Sequence, residues 1–175
     1  MRWLPFQLNP DLPTTGISRR EYIERKWGAA RGPEAYSRVA AVGKSVGLPM
    51  AFEKISVQPN TLQAHRLLHF ADQRGRQDEV AEELFKAYFV EGANLAQDET
   101  LVEIGERAGL NADELRAYLA DDEDRESVQQ GDIDARIAGS GGVPFFIFNR
   151  RIAVSGAQEA DTLLQAMEES LKEPV

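Results

Sequence analysis

The sequence predicts an α/β protein in which a long helical region separates two ends that contain β-strands. The first observation is a strand-like run near the start of the chain, residues 3–8. The second is a succession of helix caps and helical spacings over residues 60–138. The third is a pair of short apolar strands, residues 145–148 and 152–154, ahead of one last helix. We therefore expect a β-containing core from residues 1–58 and 139–175, with residues 59–138 as a helical insertion.

Composition limits the classes of function. The chain has 175 residues, enough for one domain with an insertion, and a formal net charge of −9. That charge argues against nucleic-acid and anionic-membrane partners, which need clustered Lys and Arg. No apolar run approaches the roughly 20 residues of a membrane span, and the start lacks a signal-like pattern, so a cytoplasmic location is expected.

The sequence contains no cysteine. A disulfide framework, a thiolate metal site and a cysteine nucleophile are therefore excluded within these residues.

The first 58 residues alternate between short extended and helical patterns. Pro5 cannot donate to a sheet ladder, so the strand Trp3–Leu8 should lie at an edge or carry a bulge. Ser18 and Glu21 have the spacing of a capping box for a helix that runs to Trp27. A short extended segment is expected over residues 52–57.

A second helix is predicted to start near Pro33 and to end at Gly47. Its apolar stripe is Ala35, Val39, Val42 and Val46.

The central region reads as five helices. Asn60 with Gln63 caps the first, and Asn111 with Glu114 caps the fourth. The expected buried stripes are Ala64, Leu67, Leu68 and Ala71; Val80, Leu84, Ala87 and Tyr88; Leu101, Ile104 and Ala108; and Leu115, Tyr118 and Leu119. The fifth helix, residues 124–138, is weakened by Gly131.

The end of the chain reads as strand, strand and helix. Ser155 and Gln158 have the spacing of a capping box for the last helix. Its apolar stripe is Ala160, Leu163, Leu164, Met167 and Leu171.

Five segments, in order along the chain, resemble the DsbA-like thioredoxin-fold family. They are Trp3 to Pro10 (WLPFQLNP), Pro59 to Leu67 (PNTLQAHRL), Leu84 to Gly92 (LFKAYFVEG), Gly142 to Phe146 (GVPFF) and Ser155 to Gln158 (SGAQ). The most similar branch holds the cytoplasmic dithiol-disulfide isomerases of polyketide biosynthesis, related to 2-hydroxychromene-2-carboxylate isomerase and kappa-class glutathione transferase. The resemblance implies a thioredoxin-like fold with a large all-helical insertion. It also implies a cis Val143–Pro144 bond.

The chain departs from this family at its start. Members begin with a strand, a Cys-x-x-Cys or Cys/Ser motif and a helix, all before the segment that matches Trp3–Pro10. The resemblance therefore implies an N-terminal truncation that removes the central first strand and the first helix. Three arrangements can satisfy the strands on either side: direct pairing, another segment of the chain, or a second copy. We expect association into a homo-oligomer, because exposed strand edges are templates for pairing.

The resemblance places candidate substrate-binding residues at the Gly-rich loop. Gly142, Val143 and Pro144 would hold an extended substrate through the backbone of Val143; a tight turn with no ligand is the alternative. Ser155, Gly156 and Gln158 would place free N–H groups near a glutathione carboxylate, whereas a helix cap alone also explains them.

A second set of candidates starts the insertion. Asn60, Thr61 and His65 would face the cleft, although Asn60 and Thr61 could equally cap a helix. His65 and His69 have the i, i+4 spacing of a two-histidine metal site, but no third ligand is evident and we expect no metal.

Three functions remain open from the sequence. The leading one is a DsbA-like protein disulfide oxidoreductase or isomerase acting on protein or small-molecule thiols, inactive in these residues because the catalytic cysteines are absent. The second is a glutathione-dependent isomerase or transferase of the kappa-like branch, with glutathione as the single candidate cofactor. The third is a non-catalytic binding or assembly module.

Overall fold

Helices make up most of the fold. The structure is a computed structural model that describes residues 1–28 and 32–172. The helices of those ranges are α1 (Arg19–Trp27), α2 (Gly32–Ser45), α3 (Leu62–Asp72), α4 (Gln77–Lys86), α5 (Asp98–Arg107), α6 (Ala112–Ala120), α7 (Arg125–Ile137) and α8 (Ala160–Leu171). The strands are β1 (Ile17–Ser18), β2 (Val57–Gln58), β3 (Phe145–Phe148) and β4 (Ile152–Ser155). None of the helices in these ranges is long and apolar enough to cross a membrane.

Two predicted helix caps are confirmed at atomic detail. The Ser18 hydroxyl accepts a hydrogen bond from the Glu21 amide at 3.2 Å, and α1 begins one residue later. The Asn111 side chain likewise accepts from the Glu114 amide at 3.0 Å at the start of α6. Each cap satisfies one of the amides that the first turn leaves unpaired.

The hydrophobic core lies among α3, α4, α5 and α6. The predicted stripes supply it, and its most buried large side chains include Leu67, Leu101, Ile104 and Leu115. Helix α4 continues into a π-helical turn, Ala87–Glu91, that ends at Gly92 with φ +76°. A Cβ atom at Gly92 would stand 2.5 Å from Cβ of Lys54, so glycine is required at this close approach.

The prediction of a strand at Trp3–Leu8 is wrong, because this segment pairs with side chains instead of a neighbouring strand. The Gln77 side chain accepts from the Trp3 amide at 2.9 Å and donates to the Trp3 carbonyl at 3.0 Å. Farther along, the backbone N–H of Gln7 donates to the Asp132 carboxylate at 2.7 Å. The backbone carbonyl of Gln7 accepts from the Arg136 guanidinium at 2.5 Å. These bonds satisfy the backbone on one side of the segment without forming a sheet.

Gly131 has a packing reason for its place within α7. A Cβ atom there would lie 2.7 Å from Cγ of Pro5, so the absence of a side chain allows the N-terminal segment to contact the helix. From the sequence, Gly131 is only a residue that weakens the helix. Its contact with Pro5 is visible only in the structure.

The extended segment predicted over residues 52–57 is wrong for most of its length. Phe52–Lys54 form a 3-10 turn, and only Val57–Gln58 is a strand. That strand, β2, pairs antiparallel with β1, which the sequence analysis did not predict. A Cβ atom at Gly16 would lie 2.6 Å from the Gln58 carbonyl oxygen, so glycine permits the turn into this small sheet.

Strands β3 and β4 form an antiparallel hairpin, as predicted. Its register pairs Phe145 with Ser155 and Phe148 with Ile152. Helix α8 packs on this hairpin, and the Asn149 amide and Arg151 guanidinium in the turn both donate to the Ser170 carbonyl at 3.1 Å. In the described residues the two sheets, β1–β2 and β3–β4, share no strand pairing.

Two predicted apolar stripes are not buried in the described residues. On α2, Val39, Val42 and Val46 are 49%, 65% and 68% exposed, and the Ala35 side chain lies outside the described part. On α8, Leu163 is half-buried, but Ala160 and the other predicted members are exposed: Leu164, Met167 and Leu171. Both helices therefore have an apolar stripe with helical spacing, and no other element covers these stripes in the described residues.

Candidate functional site

The start of β3 and the end of β4 bring six of the predicted site residues together. The Val143–Pro144 peptide bond is cis, the isomer expected from the sequence. The Pro144 carbonyl accepts from the Gly156 amide at 2.9 Å, which joins the Gly142–Pro144 segment to the Ser155–Gln158 segment. Gly156 has φ +80°, so the chain turns away from β4 at a position that favours glycine.

The Gly-rich loop before Val143 is attached to α7. Ser140 is buried; its amide donates to the Ala135 carbonyl at 3.0 Å and its hydroxyl donates to the Gly142 carbonyl at 3.0 Å. Val143 follows directly and is 51% exposed. Among the described residues, its backbone N–H and C=O have no hydrogen-bond partner. The loop therefore holds an unpaired backbone unit at the surface.

Ser155 and Gln158 do not form the predicted capping box. Ser155 is the last residue of β4, and α8 begins only at Ala160, after Glu159 in the cap position. The side-chain amide of Gln158 donates instead to the backbone carbonyl of Ser155 at 3.0 Å. The pattern misled because the β-pairing continues to Gly156 and delays the helix.

Asn60, Thr61 and His65 form a second group at the start of α3. The Asn60 amide donates to the carbonyls of Leu12 (2.8 Å) and Pro10 (3.2 Å), and its oxygen accepts from the Leu62 amide at 2.9 Å. All of its polar atoms thus hold the loop before β1 against α3.

Thr61 occupies the cap position of α3 without a side-chain bond. The expected Asn60–Gln63 capping box is therefore wrong. The Gln63 side chain donates instead to the Leu119 carbonyl at 3.2 Å and to Asp98.

His65 is partly buried beneath the N-terminal segment, with its Nδ1 atom fully covered. Its Nε2 lies 3.2 Å from the Phe6 carbonyl, so this nitrogen carries the hydrogen and donates. Burial lowers the pKa of His65, partly countered by the Phe6 carbonyl and by the nearby Asp132 carboxylate. His65 is therefore a neutral structural link between α3 and residues 3–8.

His69, one turn along α3, lies 3.6 Å from the Asp124 carboxylate. Both histidines line a cavity of about 150 Å³ between the N-terminal segment, α3 and α7. Nowhere in residues 1–28 and 32–172 do three metal-ligating side chains come together.

A row of aromatic rings, which the sequence analysis did not single out, connects the N-terminal segment with α1 and α2. Neighbouring centroids are 4.9–6.2 Å apart along the row Trp3, Phe85, Phe89, Phe52, Tyr36 and Trp27. The π-helical turn places Phe89 in the middle of this row. Five of the six rings are only partly buried and Phe85 is 51% exposed, so the row reaches the surface.

Arg19 adds a cation beside these rings. It is buried, lies 4.4 Å from the Tyr36 ring centroid and donates to the Gln58 side chain. The neighbouring Tyr88 hydroxyl lies 3.4 Å from the same Gln58 oxygen, and burial raises the pKa of Tyr88 to about 12 although Arg19 lowers it. Tyr88 therefore remains protonated at neutral pH.

A cis-proline strand entry, a terminal hairpin packed on a helix and a large helical insertion define the thioredoxin-like class of α/β fold. The chain belongs to the DSBA-like thioredoxin domain family, whose model matches residues 1–168.

Two similar proteins extend this comparison. One is a solved structure titled "probable DsbA oxidoreductase SCO1869 from Streptomyces coelicolor", with a TM-score of 0.88 and 29% identity over 98% of this chain and 76% of that chain. The other is described as "Uncharacterized protein YwbO" of Bacillus subtilis (strain 168), 24% identical over 98% of this chain and 82% of that protein. The predicted family and fold class are therefore confirmed, and an oxidoreductase-like function is supported.

Proposed function

We propose that this chain forms the substrate-holding part of a DsbA-like disulfide oxidoreductase or isomerase. The observation that carries the proposal is that Val143, an exposed residue at the entry to β3, has no hydrogen-bond partner for its backbone among the described residues. An extended thiol or disulfide substrate would add there as a short strand, bonded through main-chain groups. Gly142 and Pro144 fix the position of Val143, because Ser140 and Gly156 hold both neighbours in place.

The chemical step requires a thiolate that these 175 residues do not contain. Disulfide exchange starts with attack by a thiolate on a disulfide sulfur, and a serine hydroxyl does not replace it. The sequence has no cysteine. We therefore propose that the chain as given binds substrate without turnover, in the cytoplasm. In an insulin-reduction assay with dithiothreitol as the reductant, a rate with the purified chain above that of dithiothreitol alone would contradict this.

Binding can be tested at a single backbone donor. Val143→Pro removes the N–H of residue 143, whereas Val143→Ala keeps it and removes only side-chain atoms. Reduced and alkylated insulin B chain, labelled for fluorescence anisotropy, is a suitable extended ligand without free thiols. We expect roughly fivefold weaker binding for Val143→Pro, because one hydrogen bond contributes about 1 kcal/mol. Val143→Ala should bind within about twofold of the parent chain. Equal binding by both variants would refute the proposed role of Val143.

A glutathione-dependent isomerase or transferase is the second candidate. Ser155, Gly156 and Gln158 lie beside Pro144 and before the first turn of α8, where unpaired amides favour an anion. However, Glu159 and Asp161 already place carboxylates in that turn, and their charge disfavours a second carboxylate. Retention on immobilised glutathione that is lost in Gln158→Ala but not in Gln165→Ala would favour this candidate.

A non-catalytic binding module is the third candidate, favoured by the absence of cysteine. It predicts peptide binding that is unchanged when reduced glutathione is added, and no turnover under either condition. Turnover that appears only with glutathione would instead support the transferase-like candidate.

A further inference from the structure

We propose that Arg19 and the side chains around it form a binding site for a carboxylate. Its ligand is an acidic segment of a protein, in which Asp or Glu stands next to aromatic residues. The site lies where α1 begins, beside the small β1–β2 sheet. Neither β3 nor the Gly142–Pro144 loop contributes a residue to it, so the proposal does not depend on substrate binding at Val143.

The guanidinium of Arg19 is buried without a counter-charge in the described residues. Arg19 is 8% exposed, and its Nη1 donates to the neutral side chain of Gln58. Its Nε is buried with no hydrogen-bond partner in the same part of the chain. Both carboxylates of α1 form ion pairs with other arginines, Glu21 with Arg25 and Glu24 with Arg20. Because buried charges are normally paired, the surroundings of Arg19 are suited to an anion.

The described side chains that surround this guanidinium are neutral. The ring centroids of Tyr36 and Tyr22 lie 4.4 Å and 5.5 Å from its Cζ atom. The Tyr88 hydroxyl lies 3.4 Å from the Gln58 oxygen that also accepts from Arg19. Burial raises the pKa of Tyr36, and it raises the pKa of Tyr88 to about 12, although Arg19 lowers both. These tyrosines therefore stay protonated at neutral pH and hold the cation by cation–π contact without neutralising its charge.

The cluster around Arg19 reaches the surface beside aromatic rings. Two of the groups that contact the guanidinium, Tyr36 and Gln58, are only partly buried. The Tyr36 ring also belongs to the aromatic row, with its centroid 4.9 Å from that of Phe52 and 5.2 Å from that of Trp27. The π-helical turn that completes the row is itself a feature common at functional sites. A carboxylate at Arg19 would therefore lie next to rings that can pack against an aromatic neighbour of the acidic residue.

The distribution of charge along the chain also favours an acidic ligand. Residues 17–54 contain eight Lys or Arg and four Asp or Glu, whereas residues 55–175 contain eleven and twenty-four. The part of the chain that holds Arg19 is thus basic within an acidic protein. An acidic segment is attracted to this part and repelled by the rest. A protein segment also fits better than a small carboxylate, because the aromatic row extends over several side chains.

The first test compares two peptides on the unaltered chain. A fluorescein-labelled peptide Ser-Glu-Tyr-Glu-Phe-Gly, and the same peptide with Gln in place of both Glu residues, are titrated with the protein at pH 7 in fluorescence anisotropy. We expect the Glu peptide to bind roughly tenfold more tightly, because a guanidinium bonds a carboxylate more strongly than an amide. Equal affinity for the two peptides would overturn the proposal, as would tighter binding of a labelled oligothymidylate.

The second test locates the carboxylate at Arg19. Arg19→Met removes the cation and keeps an unbranched apolar side chain, and Arg20→Met removes the exposed cation next to it in α1 as the matched control. We expect Arg19→Met to bind both peptides alike, about as weakly as the parent chain binds the Gln peptide. Arg20→Met should bind the Glu peptide within about twofold of the parent chain. A preference for the Glu peptide that persists in Arg19→Met is the contrary result.

Two further measurements separate this site from a structural role and from the entry to β3. Arg19→Met should unfold at a temperature no lower than the parent chain, since it removes a buried cation that has no counter-charge in the described residues. A marked drop would show that the fold itself satisfies Arg19 and would count against the proposal. Val143→Pro should bind the Glu peptide as the parent chain does. Loss of binding in Val143→Pro would show that this peptide binds at the entry to β3 instead.

Discussion

His65 links the N-terminal segment to α3 through a side chain that burial keeps neutral. Its Nε2–H donates to the Phe6 carbonyl, and its Nδ1 is buried without a partner in the described residues. Protonation would place a charge on Nδ1 where no acceptor is available to it. Burial of the His65 ring therefore makes the contact between the N-terminal segment and α3 sensitive to acid.

The pKa of His65 predicts the direction of the pH dependence. Because burial lowers the folded-state pKa below the ordinary 6.5, the unfolded state binds more protons between these two pKa values. The free energy of unfolding should therefore be constant above pH 6.5 and fall below it, by up to about 1.4 kcal/mol per pH unit. Urea denaturation at pH 5–8 measures this.

The controls for that experiment lie on the same helix. His65→Gln keeps an N–H donor for the Phe6 carbonyl and should flatten the slope between pH 5 and 6.5. His69→Gln alters the other histidine of α3 and should leave most of the slope. A slope that persists unchanged in His65→Gln would show that another group binds the proton.

Gly131 tests the close contact between the N-terminal segment and α7. Gly131→Ala improves helix propensity by about 1 kcal/mol but places a Cβ atom 2.7 Å from the Pro5 ring. We expect faster proteolysis within residues 1–8, with α7 still helical. Adding Pro5→Ala removes the clashing ring atom and should restore resistance. If Gly131→Ala alone leaves the segment protected, Pro5 does not require the glycine.

At the scale of elements, Arg66 supplies hydrogen-bond donors to the carbonyls at the C-terminal end of α6. Its side chain is fully buried and donates to the carbonyls of Tyr118 (2.9 Å), Leu119 (3.1 Å) and Asp121 (2.5 Å). The Leu119 and Asp121 carbonyls have no backbone partner in the described residues, and the Tyr118 carbonyl accepts only a 3.3 Å bond from the Asp121 amide. A cation also complements the negative end of the helix dipole. Arg66 thereby joins α3 to α6.

Replacement of Arg66 should be costly. Arg66→Met keeps the apolar stem but removes the charged donor to three carbonyls, so we expect a loss of about 2–4 kcal/mol in the free energy of unfolding. Arg74→Met is the matched control, since Arg74 pairs with Glu114 near the surface and should cost less than about 1 kcal/mol. Chemical denaturation of both variants measures the difference. A similar loss in the two variants would show that Arg66 acts only through packing.

The helix caps also show which sequence patterns were sufficient to predict where a helix begins. The caps at Ser18 and Asn111 were predicted because a side chain and an amide three residues apart decide them locally. The pattern at Ser155 has the same spacing but failed, because pairing between Pro144 and Gly156 keeps Ser155 in β4. A local pattern therefore predicts a helix start only where no strand competes for the same residues.

The candidate site was partly predictable for a similar reason. The Val143–Pro144 segment and its Gly-rich loop are continuous in sequence, and their resemblance to the family is readable. The aromatic row is built from residues far apart in the chain, such as Trp3, Phe52 and Phe89, so no local pattern identified it. The only signal was the family-like segment that contains the π-helical turn.

For the whole molecule, the described core lies in the helical region, whereas the β-containing ends are the most exposed parts. The division into residues 1–58 with 139–175, and 59–138, stays a prediction. The net charge of −9 opposes any self-association at long range.

This charge predicts how association depends on salt. Added salt screens repulsion between two copies, whose net charges have the same sign. The self-association predicted from the sequence should be several-fold tighter at 0.3 M than at 0.03 M NaCl in sedimentation equilibrium. The NaCl concentration is the only variable, and pH and protein concentration are the same in both samples. Weaker association at high salt would indicate that ion pairs between the copies outweigh the repulsion of their net charges.

The sequence by itself determined the helices, the terminal hairpin and the absence of a thiol nucleophile in these residues, because caps, periodicity and composition act over a few residues. The resemblance of five segments identified the family. The tertiary structure decided that Trp3–Leu8 is held by Gln77, Asp132 and Arg136 instead of a strand. It also decided that, within residues 1–28 and 32–172, the stripes of α2 and α8 remain uncovered. Both depend on which distant groups satisfy a backbone or cover an apolar face, and spacing along the chain carries no information about that.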